Sequence, residues 1–337
     1  MQLQHNVSLK PYNTFGIDTT AEYFLPLTDE SLLHDVLLDK SLPEQKHILG
    51  GGSNVLLTQS VNGLTVLNRI KGIRIVKEDD EHVWLKVNGG EVWHELVMYA
   101  IQNGWGGIEN LALIPGTVGA SPIQNIGAYG VEAKETIETV NGYHLLDNAA
   151  VTFTNADCRF GYRDSIFKNE LKHKVFISSV VFRLDKKPKF NTSYGAITQE
   201  LEKMNITELS VRAIANAVIA IRTSKLPDPK QIGNAGSFFK NPTINKDQYN
   251  KLQESYPDIP SYPVSETTLK IPAGWLIESC GWKGIRKGDT GIHAKQALVL
   301  VNYGNATGSE IWALSEEVVQ SVKNKFGIEL EREVQVW

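Results

Sequence analysis

Apolar residues along the chain change their spacing several times, and each change marks an element. In "LTDESLLHDVLLD", Leu32, Leu33, Val36 and Leu37 recur at helical intervals, which predicts a helix capped by Thr28. "HVWLKV" alternates, with Val83, Leu85 and Val87 on one side, as a half-buried strand does. "EVWHELVMYAIQNG" returns to helical spacing through Val92, Leu96, Val97, Ala100 and Ile101 and stops at Gly104. "FISSVVFRL" predicts another strand, with Val180, Phe182 and Leu184 on its buried face. A long helix follows in "ELSVRAIANAVIAIRTSKLP", with Val211, Ile214, Ala215 and Val218 in register, and ends before Pro227. The last helix opens on a capping-box pair, Thr307 and Glu310, runs through Val318, Val319, Val322 and Phe326, and ends at Gly327. "IELEREVQVW" reads as a closing strand. Strands and helices interleave without regular βα alternation, so the pattern predicts an α+β fold.

Size and charge narrow the classes. A chain of 337 residues exceeds one typical core, so two or three parts are expected, with a boundary at the proline- and glycine-rich "KLPDPKQIGNAG". Thirty-four Lys and Arg against 38 Asp and Glu leave a net charge of −4, which argues against a nucleic-acid partner. Any polyanionic ligand must therefore meet a local cluster of cations. The two cysteines, Cys158 and Cys280, fit neither a disulfide framework nor a metal pair, and the eight histidines have no ligand spacing, so no metal is expected. The start "MQLQHNVSLK" lacks a signal-peptide core, and no apolar run reaches the ~20 residues of a membrane helix. A cytoplasmic protein without a membrane partner is expected.

Three loops carry the chemistry. "ILGGGSNVLL" sets Gly50, Gly51 and Gly52 before Ser53 and Asn54; bare backbone there suits a phosphate, and equally a plain turn between strands. "LIPGTVGASPIQNIGAYG" places four glycines and two prolines in eighteen residues, a long structured loop of the kind that lies against a large ligand. Gln124 and Asn125 add amide donors and acceptors. Neither loop is a Walker or Rossmann fingerprint, so together they suggest a dinucleotide held by backbone in another arrangement. In "GNAGSFFKNP", Ser237 stands between flexible residues and two phenylalanines, as a turn serine or as a reagent. "RTSKLPDPK" brings Arg222, Lys225 and Lys230 to a helix end, suited to a diphosphate or to solvent.

The segments "NTFGI", "GGGSNVL", "ENLALIPGTVGASPIQNIGAYG", "CRFGYRDSIFK", "KLPDPKQIGNAGSFFKNP" and "AGWLIESCG" occur in order and span nearly the whole chain. They resemble the UDP-N-acetylenolpyruvoylglucosamine reductase family of peptidoglycan synthesis, and "NTSYGAI" with "SYPVSETTLKIPAGW" resembles its longer subclass. The resemblance implies noncovalent FAD, NADPH as reductant and a fold of the vanillyl-alcohol-oxidase type. It implies three parts: residues 1–70 joined by the strand 328–337, residues 71–222, and a substrate-binding part at 223–327. It implies Ser237, Arg163 and Glu333 as catalytic residues, and Tyr194, Lys225, Asn241 and Gln296 as substrate contacts. It implies cofactor contacts at Gly50, Gly51, Gly52, Ser53, Asn54, Pro115, Gly116, Gly119, Ala120, Gln124, Asn125, Gly127, Ala128 and Tyr129. The partners implied are UDP-N-acetylglucosamine enolpyruvate and NADPH, acting on a monomer. Gln335 departs from the family, which commonly has arginine there, and relatives usually continue past Trp337.

The chemistry asks for such groups. Hydride delivered to an enolpyruvyl methylene leaves negative charge on the neighbouring carbon, conjugated with the carboxylate. An arginine pairs with that carboxylate. Glu333, in a protonated or shared-proton form, hydrogen-bonds the same charge. A carbon base is strong enough to take a proton from serine when the site is dry. Two other readings predict different observations: a sugar oxidase of the same fold would tether its flavin through a histidine, and a noncatalytic nucleotide-binding module would hold no flavin that NADPH bleaches.

Overall fold

A computed structural model of the chain describes residues 3–337. Its elements mix strands and helices without βα alternation, and the fold is α+β. The backbone clusters into two compact units. The first holds the chain up to Val7, then 21–52 and 62–224; the second holds 8–20, 53–61 and 225–337.

The first unit carries two sheets. One has four strands in the order β1 (Gln4–Ser8), β2 (Thr20–Leu27), β5 (Val61–Asn68) and β3 (Lys46–Leu49). Here β3 runs parallel to β5, with Leu49 opposite Leu67, and so delivers Gly50 at the strand's C-terminal end. The other sheet is antiparallel: β11 (Ala150–Thr154), β10 (Ile137–His144), β12 (Val175–Asp185), β7 (His82–Asn88) and β6 (Ile73–Glu78). The alternation read from sequence is realised, since Val83, Leu85 and Val87 of β7 and Val180, Phe182 and Leu184 of β12 are all buried. Against them pack Trp93, Leu96, Val97 and Ala100 of α2 (Trp93–Gln102) and Ile214, Ala217 and Val218 of α4 (Val211–Lys225). Each of the larger aliphatic side chains among them is worth roughly 1.5–3 kcal/mol of burial, so this core sets the loops between its strands.

Two sequence expectations change in detail. Asp29, not Thr28, caps the first helical segment, its Oδ1 accepting Ser31 N–H at 2.9 Å. The first turn, Glu30–Leu32, has 3-10 geometry, and α1 begins only at Leu33 and ends at Leu38. The closing strand is also shorter than its alternation suggests. Only β20 (Gln335–Val336) forms a ladder, parallel to β4 (Val55–Leu56). Residues before it pair instead with a loop that cannot extend a ladder, through the isolated bridge Phe239–Arg332.

The second unit holds a four-stranded sheet in the order β13 (Gly233–Asn234), β19 (Leu300–Asn302), β18 (Thr290–Ile292) and β17 (Arg286–Lys287). A smaller sheet orders β14 (Thr243–Asn245), β16 (Thr268–Lys270) and β15 (Tyr262–Pro263). Helix α7 (Gly308–Phe326) buries Ile311, Leu314, Val318 and Val322. Its capping box forms as expected: Glu310 N–H donates to Thr307 Oγ1 at 3.2 Å, and Thr307 N–H donates to Glu310 Oε2 at 2.7 Å. A Cβ on Gly308 would stand 1.9 Å from the Leu57 carbonyl oxygen, so the helix start lies hard against the segment after β4. Thr307→Ala is expected to cost about 1 kcal/mol in urea unfolding. Gly308→Ala is expected to cost more, roughly 1–3 kcal/mol, because backbone must move.

Candidate active site

The two glycine loops meet within the first unit. A Cβ on Gly51 would lie 2.8 Å from Gly116 Cα, and one on Gly50 would lie 2.5 Å from Thr117 Oγ1. Real Cβ atoms do not approach backbone so closely, so glycine at these positions is a packing requirement. Gly119 repeats the theme against Gly89, where an added Cβ would come within 3.1 Å of Cα. Gly51 and Pro115 stay exposed where the loops touch. The result is a surface of bare backbone, suited to a ligand recognised through main-chain groups.

Side chains keep the second loop in shape. Asn125 is fully buried: its Nδ2 donates to Glu132 Oε2 at 3.1 Å and to Gly161 O at 2.9 Å, and its Oδ1 accepts Lys134 N–H at 2.9 Å. That amide holds the loop's own shape. His94 Nδ1 accepts the N–H of Leu113, a residue held at φ 59°, across 3.0 Å. The two short strands β8 (Gly127–Ala128) and β9 (Val131–Glu132) are joined by Tyr129 and Gly130, both at positive φ (51° and 81°), the backbone of a tight hairpin. An aromatic residue rarely adopts that conformation. Buried Asn110 holds it there, its Nδ2 donating to Tyr129 O at 3.0 Å and to Asn191 O at 2.9 Å.

Arg163 also stands at positive φ, 53°, and its Nη2 donates to the Gly127 carbonyl. The structure thus brings Arg163 to the glycine loop, in the same unit as Tyr129. The Tyr194 ring packs edge-on to Tyr129, with centroids 5.3 Å apart; the residue immediately precedes α3 (Gly195–Lys203), and half its area stays exposed. Arg222, on the last turn of α4, has a buried Nε without a hydrogen-bond partner among the described residues.

In the second unit, Ser237 follows a turn that the sequence left ambiguous. Asn234, buried, donates from Nδ2 to Ile232 O at 2.9 Å and to Pro227 O at 3.2 Å, while its Oδ1 accepts Gly236 N–H at 3.0 Å. Gly236 takes φ 70°, and the chain then enters Phe238 and Phe239, both buried. Phe238 packs edge-on to Phe15 of "NTFGI" at 6.3 Å, a loop closed by Asn13. Phe238 N–H donates to Leu298 O at 2.8 Å, and Glu333 N–H donates to Phe238 O at 2.8 Å. Backbone pairing therefore brings Glu333 beside the residue next to Ser237. Asn54 joins them, donating from Nδ2 to Glu333 O at 3.3 Å. Asn241 Oδ1 accepts Ala273 N–H at 2.9 Å at the start of α6 (Ala273–Ser279), and Gln296 Oε1 faces Gly274 of the same turn. Asn241 and Gln296 thus share one place, whereas Lys225 stands exposed at the end of α4. The roles of Asn13, Asn110, Asn191 and Asn234 were not read from the sequence, because an isolated asparagine in a loop carries no periodic signal.

These loops match known proteins. Residues 41–153 match the family described as "FAD binding domain", and residues 228–337 match "UDP-N-acetylenolpyruvoylglucosamine reductase, C-terminal domain". The fold and the glycine loops are those of an FAD-binding flavoprotein. The reductase of Flavobacterium johnsoniae is 52% identical over 337 residues, covering 100% of both chains, and that of Chromobacterium violaceum is 48% identical over 99% of this chain and 98% of its own. A crystal structure of the Thermus caldophilus reductase superposes with a TM-score of 0.68 at 25% identity, covering 100% of this chain and 99% of the other. The chain belongs to the UDP-N-acetylenolpyruvoylglucosamine reductase family. FAD fits the residues present, because the crowding at Gly50, Gly51 and Gly119 leaves backbone, not side chains, to face it.

The His94 contact carries a pH dependence. Burial holds its imidazole below the ordinary 6.5; Glu95 opposes this and the Arg222 charge reinforces it. The folded state therefore favours neutral His94, whose stabilisation is complete above pH 6.5 and is lost as pH falls from there through the lower folded value. The thermal midpoint and flavin retention should decline over that range. His94→Asn, which keeps an acceptor near Nδ1, should flatten this slope relative to wild type. An unchanged slope would exclude His94 as the source.

Proposed function

We propose that this protein reduces UDP-N-acetylglucosamine enolpyruvate to UDP-N-acetylmuramate, with NADPH as reductant and FAD held without a covalent bond. The observation that carries the reading is the setting of Ser237. An asparagine-built turn leads into Ser237, two buried phenylalanines follow it in the chain, and the Glu333 backbone is pinned to the adjacent residue.

When bound, the flavin supplies the hydride that NADPH provides to the substrate's methylene carbon. In this reading, Gly50, Gly51, Gly52, Ser53 and Asn54 hold it, with Pro115, Gly116, Gly119, Ala120, Gln124, Gly127, Ala128 and Tyr129. Asn125 contributes by fixing the loop. Arg163 binds the enolpyruvyl carboxylate bidentately, where charge grows during reduction. Glu333 hydrogen-bonds the same group. Ser237 Oγ gives its proton to the carbon beside the carboxylate, completing addition of a hydride and a proton across the double bond. Phe238 and Phe239 exclude the water that would weaken these interactions. Tyr194, Lys225, Asn241 and Gln296 take the substrate's diphosphate and sugar.

The three-part organisation (1–70 with 328–337, 71–222, 223–327) belongs to the same proposal, supported by the separate sheets and by the pairing of β20 with β4. So do the monomer and the cytoplasmic location. Among the described residues, no helix is long and apolar enough to cross a membrane.

Ser237→Ala separates chemistry from packing. Flavin reduction by NADPH needs no proton on the sugar and should persist, while substrate reduction should slow by ~10²–10⁴. Stopped-flow traces of each half-reaction decide it, since equal slowing of both would make the serine structural. Lys225→Ala should weaken substrate binding by roughly 1.5–3 kcal/mol and leave flavin content unchanged. Unaltered affinity by calorimetry would return Lys225 to the solvated surface.

A further inference from the structure

The turn that carries Arg163 is strained, and side chains outside the residues assigned above hold it in place. Gly161 and Asp164 pair through both backbone bonds: Asp164 N–H donates to Gly161 O at 3.3 Å, and Gly161 N–H to Asp164 O at 3.0 Å. Tyr162 and Arg163 are the two central residues of this tight turn. Arg163 stands third in it at φ 53°, a conformation that turns ordinarily give to glycine or asparagine. Such strain persists only where the surrounding structure over-determines the residue that bears it.

Bonds reach this turn from both sides. Lys168 Nζ, five residues on, donates to the Arg163 carbonyl oxygen at 3.2 Å. Ser165 is fully buried; its Oγ donates to Ile123 O at 2.6 Å and accepts the Phe167 N–H at 3.1 Å. Ile123 belongs to the second glycine loop, as does Asn125, which donates from Nδ2 to Gly161 O at 2.9 Å. Asn169 closes the far side, its Nδ2 donating to Asp164 Oδ1 at 2.8 Å and to Ser165 O at 3.1 Å. The turn is thus tied at its first residue by Asn125, at its third by Lys168 and just past its last by Ser165. A carbonyl held in place fixes the peptide plane that follows Arg163. With that plane set, the side chain leaves the turn towards Gly127, whose carbonyl accepts from Nη2.

We propose that Lys168 and Ser165 are positioning residues for the reduction, holding Arg163 in register with the second glycine loop. The inference rests on the reductase reading, in which Arg163 meets the enolpyruvyl carboxylate. Neither side chain touches the substrate; each acts through the arginine. Charge on that carboxylate grows as the substrate is reduced, so a misplaced guanidinium slows that step more than it weakens binding. A displacement of about 1 Å is enough to cost roughly 10²-fold.

The test uses the holoenzyme, with each half-reaction followed by stopped flow. Lys168→Met keeps the aliphatic stem and removes the donor. Flavin reduction by NADPH should keep its wild-type rate, and UDP-N-acetylglucosamine, which lacks the carboxylate, should bind unchanged in a flavin-absorbance titration. Reoxidation of the reduced flavin by UDP-N-acetylglucosamine enolpyruvate should slow by about 10–100-fold. Lys168→Arg, which restores a donor, should recover most of that rate. Ser165→Ala should slow the same half-reaction and spare the other, and it decides the question if Lys168→Met does not fold. On an Arg163→Met background, Lys168→Met should cost nothing further, because the lysine acts through the arginine. Equal slowing of both halves, unchanged reoxidation in the variant that folds, or a full additional loss in the double variant overturns the inference. Wild-type enzyme whose reduced flavin the enolpyruvyl sugar does not reoxidise would instead overturn the reductase reading.

Discussion

The contact between the two glycine loops is the constraint from which the cofactor surface follows. Gly51 meets Gly116 backbone to backbone, and no side chain fits between them. The strand β3 can deliver that glycine only because it is locked in parallel register to β5 over a buried apolar face. The loop carrying Gly116 is anchored in turn by α2, where Trp93 N–H donates to Gly116 O at 3.1 Å and the indole Nε1 donates to Leu111 O at 2.9 Å. Regular structure thus holds irregular backbone in place, and the irregular backbone is left to face the ligand.

Where ladders cannot reach, buried asparagines replace them. Asn13, Asn110, Asn125, Asn234 and Asn302 are all nearly inaccessible, and each closes or joins loop segments through its amide. A primary amide supplies two donors and two acceptor sites on a short, stiff stem, so one side chain can satisfy several backbone groups. Leaving such groups unpaired would cost about 1–3 kcal/mol each. The protein therefore maintains long loops with little flexibility. Three residues in or beside the proposed site stand at positive φ: Leu113, Tyr129 and Arg163.

Tyr129 joins several of these devices. Its carbonyl is held by Asn110 and its ring by Tyr194. Asn191 ties the segment before Tyr194 to the same hairpin, donating from Nδ2 to Gly130 O at 3.1 Å. The loop proposed to hold the cofactor and the tyrosine proposed to take the substrate are thereby mechanically linked. Both belong to the first unit, so the link is built within one core.

Much of this was present in the sequence, for physical reasons. Alternation fixed β7 and β12, since a pleated strand exposes every second residue, and helical spacing fixed α2, α4 and α7. The capping box at Thr307 and the stop at Gly327 are local interactions, and they formed as written. The glycine loops were visible as composition, and their order along the chain marked the family. Local pattern did not decide the role of each glycine, because whether Gly51 meets a phosphate or another loop depends on a segment more than sixty residues away. Nor did it distinguish Asp29 from Thr28 as a cap, or shorten the closing strand, whose length depends on what lies beside it. The pairing that sets Glu333 against Phe238, and the bond from Arg163 to Gly127, join residues far apart in the chain. Such contacts follow from packing of whole elements, which only the tertiary structure decides.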